Sequence, residues 1–153
     1  MSTTEHSTWI DAPPARVYSA LLDEKLIAQW RVPTGMRCVV HQFEPKEGGA
    51  FRISLSYDEP EAAGKTSAHT DTYHGHFEEL VPNRRVVERL EFESADVRMQ
   101  GVMRIVTDLM DERGGTRIHA VHENLPPGVS PEDNEAGWRE SLAKLSGLLS
   151  PAR

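Results

Sequence analysis

Apolar and polar residues alternate with a period of two from Met36 to about Glu123, and recur at helical spacing on either side of that stretch. Turn-forming runs cut the alternating part into six strands: Met36 to Glu44, Ala50 to Tyr57, Ser67 to Glu79, Arg85 to Glu93, Gln100 to Leu109 and Thr116 to Glu123. The connections are Pro45 to Gly49, the polar loop Asp58 to Thr66, Val81 to Arg84, Ser94 to Arg98 and Asp111 to Gly115, all rich in residues that favour tight turns. Upstream, Ser7 to Ile10 predicts a short first strand. Pro14 then suits the first turn of a helix reaching about Leu22, and Asp23 caps a second helix, Glu24 to Trp30. The chain closes on an amphipathic helix, Ser130 to Leu149. Trp138, Leu142, Leu145, Leu148 and Leu149 form its apolar stripe, and Glu135, Arg139, Glu140 and Lys144 lie opposite.

Alternation also assigns faces. Phe51, Ile53, Leu55 and Tyr57 share one side of their strand, and Tyr73, Gly75 and Phe77 continue it, leaving His74, His76 and Glu78 outside. The inward rows proceed through Val86, Glu88, Leu90 and Phe92, then Gly101, Met103, Ile105 and Leu109, then Ile118, Ala120 and His122. A long one-sided helix packs into the concave face of such a sheet, and the space it does not fill becomes a cavity. Inward glycines at 75 and 101 give up packing, so they are expected to leave room there.

Composition narrows the function classes. With 153 residues the chain is expected to be one domain, 1–153, around one core. The net charge of −7 disfavours nucleic acid, which needs a clustered basic surface, and Arg84, Arg85 and Arg89 are diluted by Glu88, Glu91 and Glu93. Cys38 has no partner for a disulfide, the first residues do not read as a signal peptide, and no apolar run approaches the length of a membrane span. A cytoplasmic protein without membrane insertion is the expectation. His74 and His76 share a strand face, as zinc ligands do, but a third ligand from His41, His69 or His119 is not fixed by spacing, so no metal and no cofactor is implied.

Several segments then form a pattern: Ala12 to Tyr18 with Gln29-Trp30, Gly48-Gly49 leading into Phe51-Arg52, Tyr73 to Val87, His122 to Pro126 and Asn134 to Leu142. Together they resemble the START-like (SRPBCC) superfamily of polyketide cyclases and Bet v 1, and within it the bacterial AHSA1-like proteins related to the Hsp90 ATPase activator. That resemblance implies an α+β helix-grip fold, in which a seven-stranded antiparallel sheet wraps around a long C-terminal helix, with two short helices between strands 1 and 2. It implies a hydrophobic or amphipathic ligand, lipid-like or polyketide-like, in the cavity between helix and sheet. The ligand-binding candidates are Trp30, Phe43, Phe51, Ile53, Tyr57, Tyr73, Gly75, Phe77, Glu88, Leu90, Phe92, Met103, His122, Trp138 and Leu142. Glu88 and His122 are inward polar groups, and they are the candidates for an acid and base in the alternative reading as a cyclase, dehydratase or hydrolase. A homodimer and, through the family name, a stress-response role at an Hsp90 homologue stay open as partners. Access to the cavity is expected past Trp30 to Gly35, Asp58 to Thr66 and Leu125 to Ser130.

Overall fold

The structure is a computed structural model that describes residues 2–57 and 70–151. Seven antiparallel strands form one sheet: β1 (Ser2–Ile10), β2 (Met36–Phe43), β3 (Ala50–Tyr57), β4 (Thr70–Val81), β5 (Arg85–Phe92), β6 (Met103–Glu112) and β7 (Gly115–Leu125). Their spatial order is β1-β7-β6-β5-β4-β3-β2, so five consecutive hairpins run from β2 to β7 and β1 returns to the far edge beside β7. Helices α1 (Pro14–Leu21) and α2 (Glu24–Trp30) carry the chain from one edge to the other, and α3 (Pro131–Leu149) closes it. This is the helix-grip arrangement the resemblance implied.

The starts of α1 and α2 follow the predicted chemistry, and α3 begins in the same way. Pro14 and Pro131 occupy first turns, where a missing N–H removes no helical bond. Asp23 accepts from the backbone N–H groups of Lys25 and Leu26, and Ser130 accepts from that of Asp133. Leu142, Leu145 and Leu149 join Phe51, Ile53, Phe77, Ile105 and Ile118 in one continuous buried cluster, which places α3 against the inward rows of the sheet. Leu148, by contrast, is exposed.

Five further expectations are corrected. β1 begins at Ser2 rather than Ser7, because its first half pairs by backbone with β7, Thr4 opposite His122, without needing apolar alternation. β6 begins at Met103, since a turn of 3-10 helix at Val97–Met99 takes up chain before it; Gly101 is exposed at φ 124°, outside the inward row. Gly75 leaves no room either. A Cβ there would meet the Arg89 carbonyl oxygen at 1.9 Å, so the glycine lets β4 and β5 close up next to the bulge between Phe77 and Glu79. Tyr57, at the end of β3, is 40% exposed and does not reach the core. Ser67 to His69 and the Asp58 to Thr66 loop lie outside the described residues.

The outer face of the sheet is charged, and its charges are paired across strands. Arg52 grips Glu93 with two bonds of 2.9 Å, and His74 reaches Glu91 and Glu93 at 3.1 and 2.9 Å. Arg104 joins Glu78 to Glu123, and Arg89 also pairs with Glu78. His74 and His76 face outward as alternation predicted. Among the described residues no group of three His, Cys, Asp or Glu side chains is placed to hold a metal ion.

Candidate functional site

Between α3 and the sheet lies a cavity of about 220 Å³. Its sheet wall comes from Leu55, Tyr73, Leu90, Phe92, Met103, Ile105 and His122, and its helix wall from Asp133, Asn134, Gly137, Trp138 and Ser141; Arg31 and Pro33 close one end. Of the sequence-derived candidates, Tyr73, Leu90, Phe92, Met103, His122 and Trp138 stand on this wall. Trp30, Phe51, Ile53, Phe77 and Leu142 are buried core instead, and Phe43 packs edge-on against Phe77 with ring centres 5.6 Å apart. Tyr57 and Gly75 are not on the wall, for the reasons given above.

Arg31 is the largest omission from the sequence reading. It follows the last turn of α2, its N–H closing on the Ile27 carbonyl at 2.9 Å, in a segment that α3 straps down. Lys144 donates to the Val32 carbonyl at 2.6 Å, and Glu140 accepts from the Thr34 N–H at 3.0 Å. The guanidinium thereby turns inward, where Nη1 donates to Glu88 Oε1 at 2.7 Å with both side chains under 10% exposed. Its Cζ stands 5.6 Å from the Tyr73 ring centre and 5.3 Å from that of Trp138. Burial opposes the charge on Arg31, but the Glu88 carboxylate outweighs it and holds the guanidinium protonated. Burial likewise raises the Tyr73 phenol to about 12. A basic residue just past a helix end carries no sequence signal of burial; the one clue was Glu88, an inward acid that needed a partner.

His122 occupies the same sheet row as Glu88, with Ile105 between them on β6. Two strand spacings, roughly 10 Å, therefore separate the two residues. His122 Nδ1 faces the Asn134 amide nitrogen at 3.0 Å, and that nitrogen also donates to Thr4 Oγ1 at 2.9 Å. An amide nitrogen only donates, so Nδ1 accepts and the ring proton resides on Nε2. Burial, with help from the Arg31 charge, lowers the imidazole to about 4, so it is neutral at pH 7. The rings of His122 and Trp138 meet edge to face at 4.8 Å, and Trp30 backs Trp138 at 5.8 Å. His122 Nε2 and Trp138 Nε1 are buried and have no hydrogen-bond partner among the described residues. A buried donor without an acceptor costs on the order of 1–3 kcal/mol, and both residues border the cavity.

Comparison with known proteins places this geometry in context. Residues 11–150 match the family model described as Activator of Hsp90 ATPase homolog 1-like protein. A crystal structure of a protein from Chromobacterium violaceum is similar at 30% identity and a TM-score of 0.88, covering 98% of each chain. The AHSA1 protein of Silicibacter pomeroyi shares the fold at 17% identity and a TM-score of 0.79, covering 97% of each chain. DynU16, from the dynemicin biosynthetic locus, does so at 17% identity and a TM-score of 0.66, over 97% of this chain and 47% of its own. No curated protein matches the sequence. Among the described residues no helix is long and apolar enough to cross a membrane. A family match across nearly the whole chain, with a near-complete structural match at 30% identity, makes this protein a member of the Activator of Hsp90 ATPase homolog 1-like family.

Proposed function

We propose that this protein binds a hydrophobic or amphipathic small molecule, lipid-like or polyketide-like, in the cavity between α3 and the sheet. The observation that carries the reading is the space itself, about 220 Å³ of it, walled by Leu55, Leu90, Phe92, Met103 and Ile105. On the usual scale of roughly 300–1,000 Å³ for ligand sites this is small, and suits one or two rings better than a sterol. Gly137 supports it. A mid-helix glycine costs about 1 kcal/mol against alanine, and here a Cβ would meet nothing nearer than Pro33 Cγ at 3.9 Å. Packing does not require this glycine, whereas an open cavity wall benefits from it. A structural neighbour from a biosynthetic locus agrees with a natural-product ligand.

Titration with a neutral two-ring fluorescent probe such as N,N-dimethyl-2-naphthylamine tests the reading. Saturable binding at one probe per chain is expected, with Gly137→Leu, which fills the space, abolishing it while the circular dichroism spectrum is kept. No saturable binding by the wild-type protein overturns the proposal.

A second reading is a cyclase, dehydratase or hydrolase reaction with Glu88 and His122 as acid and base. In its favour is a neutral buried imidazole bordering the cavity, which can exchange a proton at Nε2. Against Glu88 as a free base stands its 2.7 Å bond to Arg31. If Glu88→Gln and His122→Ala leave the turnover of every accepted ligand unchanged, this second reading is lost.

A further inference from the structure

The polar groups at the cavity's buried end share a feature that neither the fold nor the apolar walls demand. Among the described residues the unpartnered buried atoms there are donors: the Trp138 indole N–H and the His122 Nε2–H. Their rings meet edge to face at 4.8 Å and both nitrogens are closed off from water, so a ligand oxygen reaches the pair by parting the two rings. The charges beside them cancel, because Arg31 is held by Glu88 at 2.7 Å. At the solvent end of the wall stands Asp133, an exposed acid.

Each ligand class meets this arrangement differently. A hydrocarbon fills the apolar space but leaves both donors unsatisfied. A carboxylate satisfies them, yet it must shed its hydration in a site with no net positive charge, after passing Asp133. An alcohol can accept as well, but its own O–H must then find an acceptor, whereas the unpartnered buried atoms among the described residues of the wall are both donors. A neutral carbonyl oxygen accepts through two lone pairs and brings no donor and no charge.

Resting on the binding function proposed above, we propose that this cavity selects a ligand with a neutral carbonyl oxygen, a ketone, aldehyde or ester, on an apolar body of one or two rings. The oxygen accepts from Trp138 Nε1 and His122 Nε2, and the rings lie between Leu90, Phe92 and Met103. Arg31 acts as a positioning residue, its guanidinium 5.3 Å from the Trp138 ring centre.

Three probes of matched shape test this: 2-acetylnaphthalene, its hydrocarbon counterpart 2-isopropylnaphthalene and the anion 2-naphthoate, each titrated by calorimetry at pH 7. The ketone is expected to bind about tenfold tighter than the hydrocarbon, as one or two net hydrogen bonds provide, and tighter than the naphthoate. In 1H–15N spectra the Trp138 indole resonance is expected to move with the ketone and much less with the hydrocarbon. Trp138→Phe, which keeps an aromatic wall without the N–H, is expected to bring the ketone-to-hydrocarbon affinity ratio towards one. Equal binding of ketone and hydrocarbon overturns the carbonyl assignment while leaving a hydrophobic binding protein standing. Preference for naphthoate overturns it in favour of charge selection, and failure of all three to bind, together with the fluorescent probe, overturns the binding function itself.

Discussion

Arg31 and Glu88 lose most of their hydration together, and each is tolerable only because the other is 2.7 Å away. Removing one partner strands a charge in the core. Glu88→Ala is therefore expected to destabilise the fold by about 3–5 kcal/mol. Arg31→Met with Glu88→Leu is expected to recover much of that loss, so the double-mutant cycle in urea should show strong coupling between the two sites. His122 gives a second residue-scale expectation, through pH. Its folded value of about 4 lies below the ordinary value of 6.5, so the unfolded chain takes up a proton first as the pH falls. Stability contributed by the neutral imidazole is complete above the unfolded value and is lost as the pH drops from about 6.5 towards 4, up to about 3 kcal/mol in all. Glu93, held at about 2 by its hydrogen bond from Arg52 and, beyond that, by His74, loses its contribution only at lower pH, below the ordinary carboxylate range. Urea melts between pH 7 and 5.5 thus lie above the loss at Glu93, and His122→Gln is expected to flatten the slope there relative to wild type.

At the scale of elements, α3 does three things at once: it completes the core, straps the segment carrying Arg31 and forms one wall of the cavity. Gly137 sits where the first and third of these conflict. Gly137→Ala is expected to raise stability by roughly 0.5–1 kcal/mol through helix propensity, and to weaken ligand binding by narrowing the space. Thermal melts and probe titrations of the same variant would show opposite signs. Gly75→Ala has no such compensation. Its Cβ would fall 1.9 Å from the Arg89 carbonyl oxygen, so β4 and β5 must part, at a cost of about 3 kcal/mol by denaturant unfolding. The alternation that placed Gly75 on the inward row was right about direction in the strand but silent about how closely two backbones approach at a bulge. Ser2 to His6 were illegible for a related reason, since an edge strand can be held by backbone pairing alone. That extension matters to the site, because it brings Thr4 to Asn134 and so helps orient His122.

For the whole molecule, a ligand that binds only the folded state stabilises it by mass action. At a hundred times its dissociation constant the gain is about 2.7 kcal/mol, which for a domain of this size corresponds to roughly 5–10 °C in melting temperature. Ketone probes are expected to produce this shift in the wild-type protein, and Gly137→Leu to show none. Period and turn residues were sufficient to read the order of strands and helices and the cap at Asp23, because each depends on neighbours along the chain, and the family was legible through the resemblance of several segments. The inward orientation of Glu88 and His122 followed from the same alternation. The encounter of Arg31 with Glu88, 57 residues apart in sequence, and of Asn134 with both Thr4 and His122 did not. Those contacts depend on how far α3 and the α2–β2 segment sit above the sheet, a distance set by packing and not by any local period. A chain's pattern of apolar residues specifies which faces must be covered, whereas the space left under the cover, and the donors that line it, exist only once three distant segments are held together.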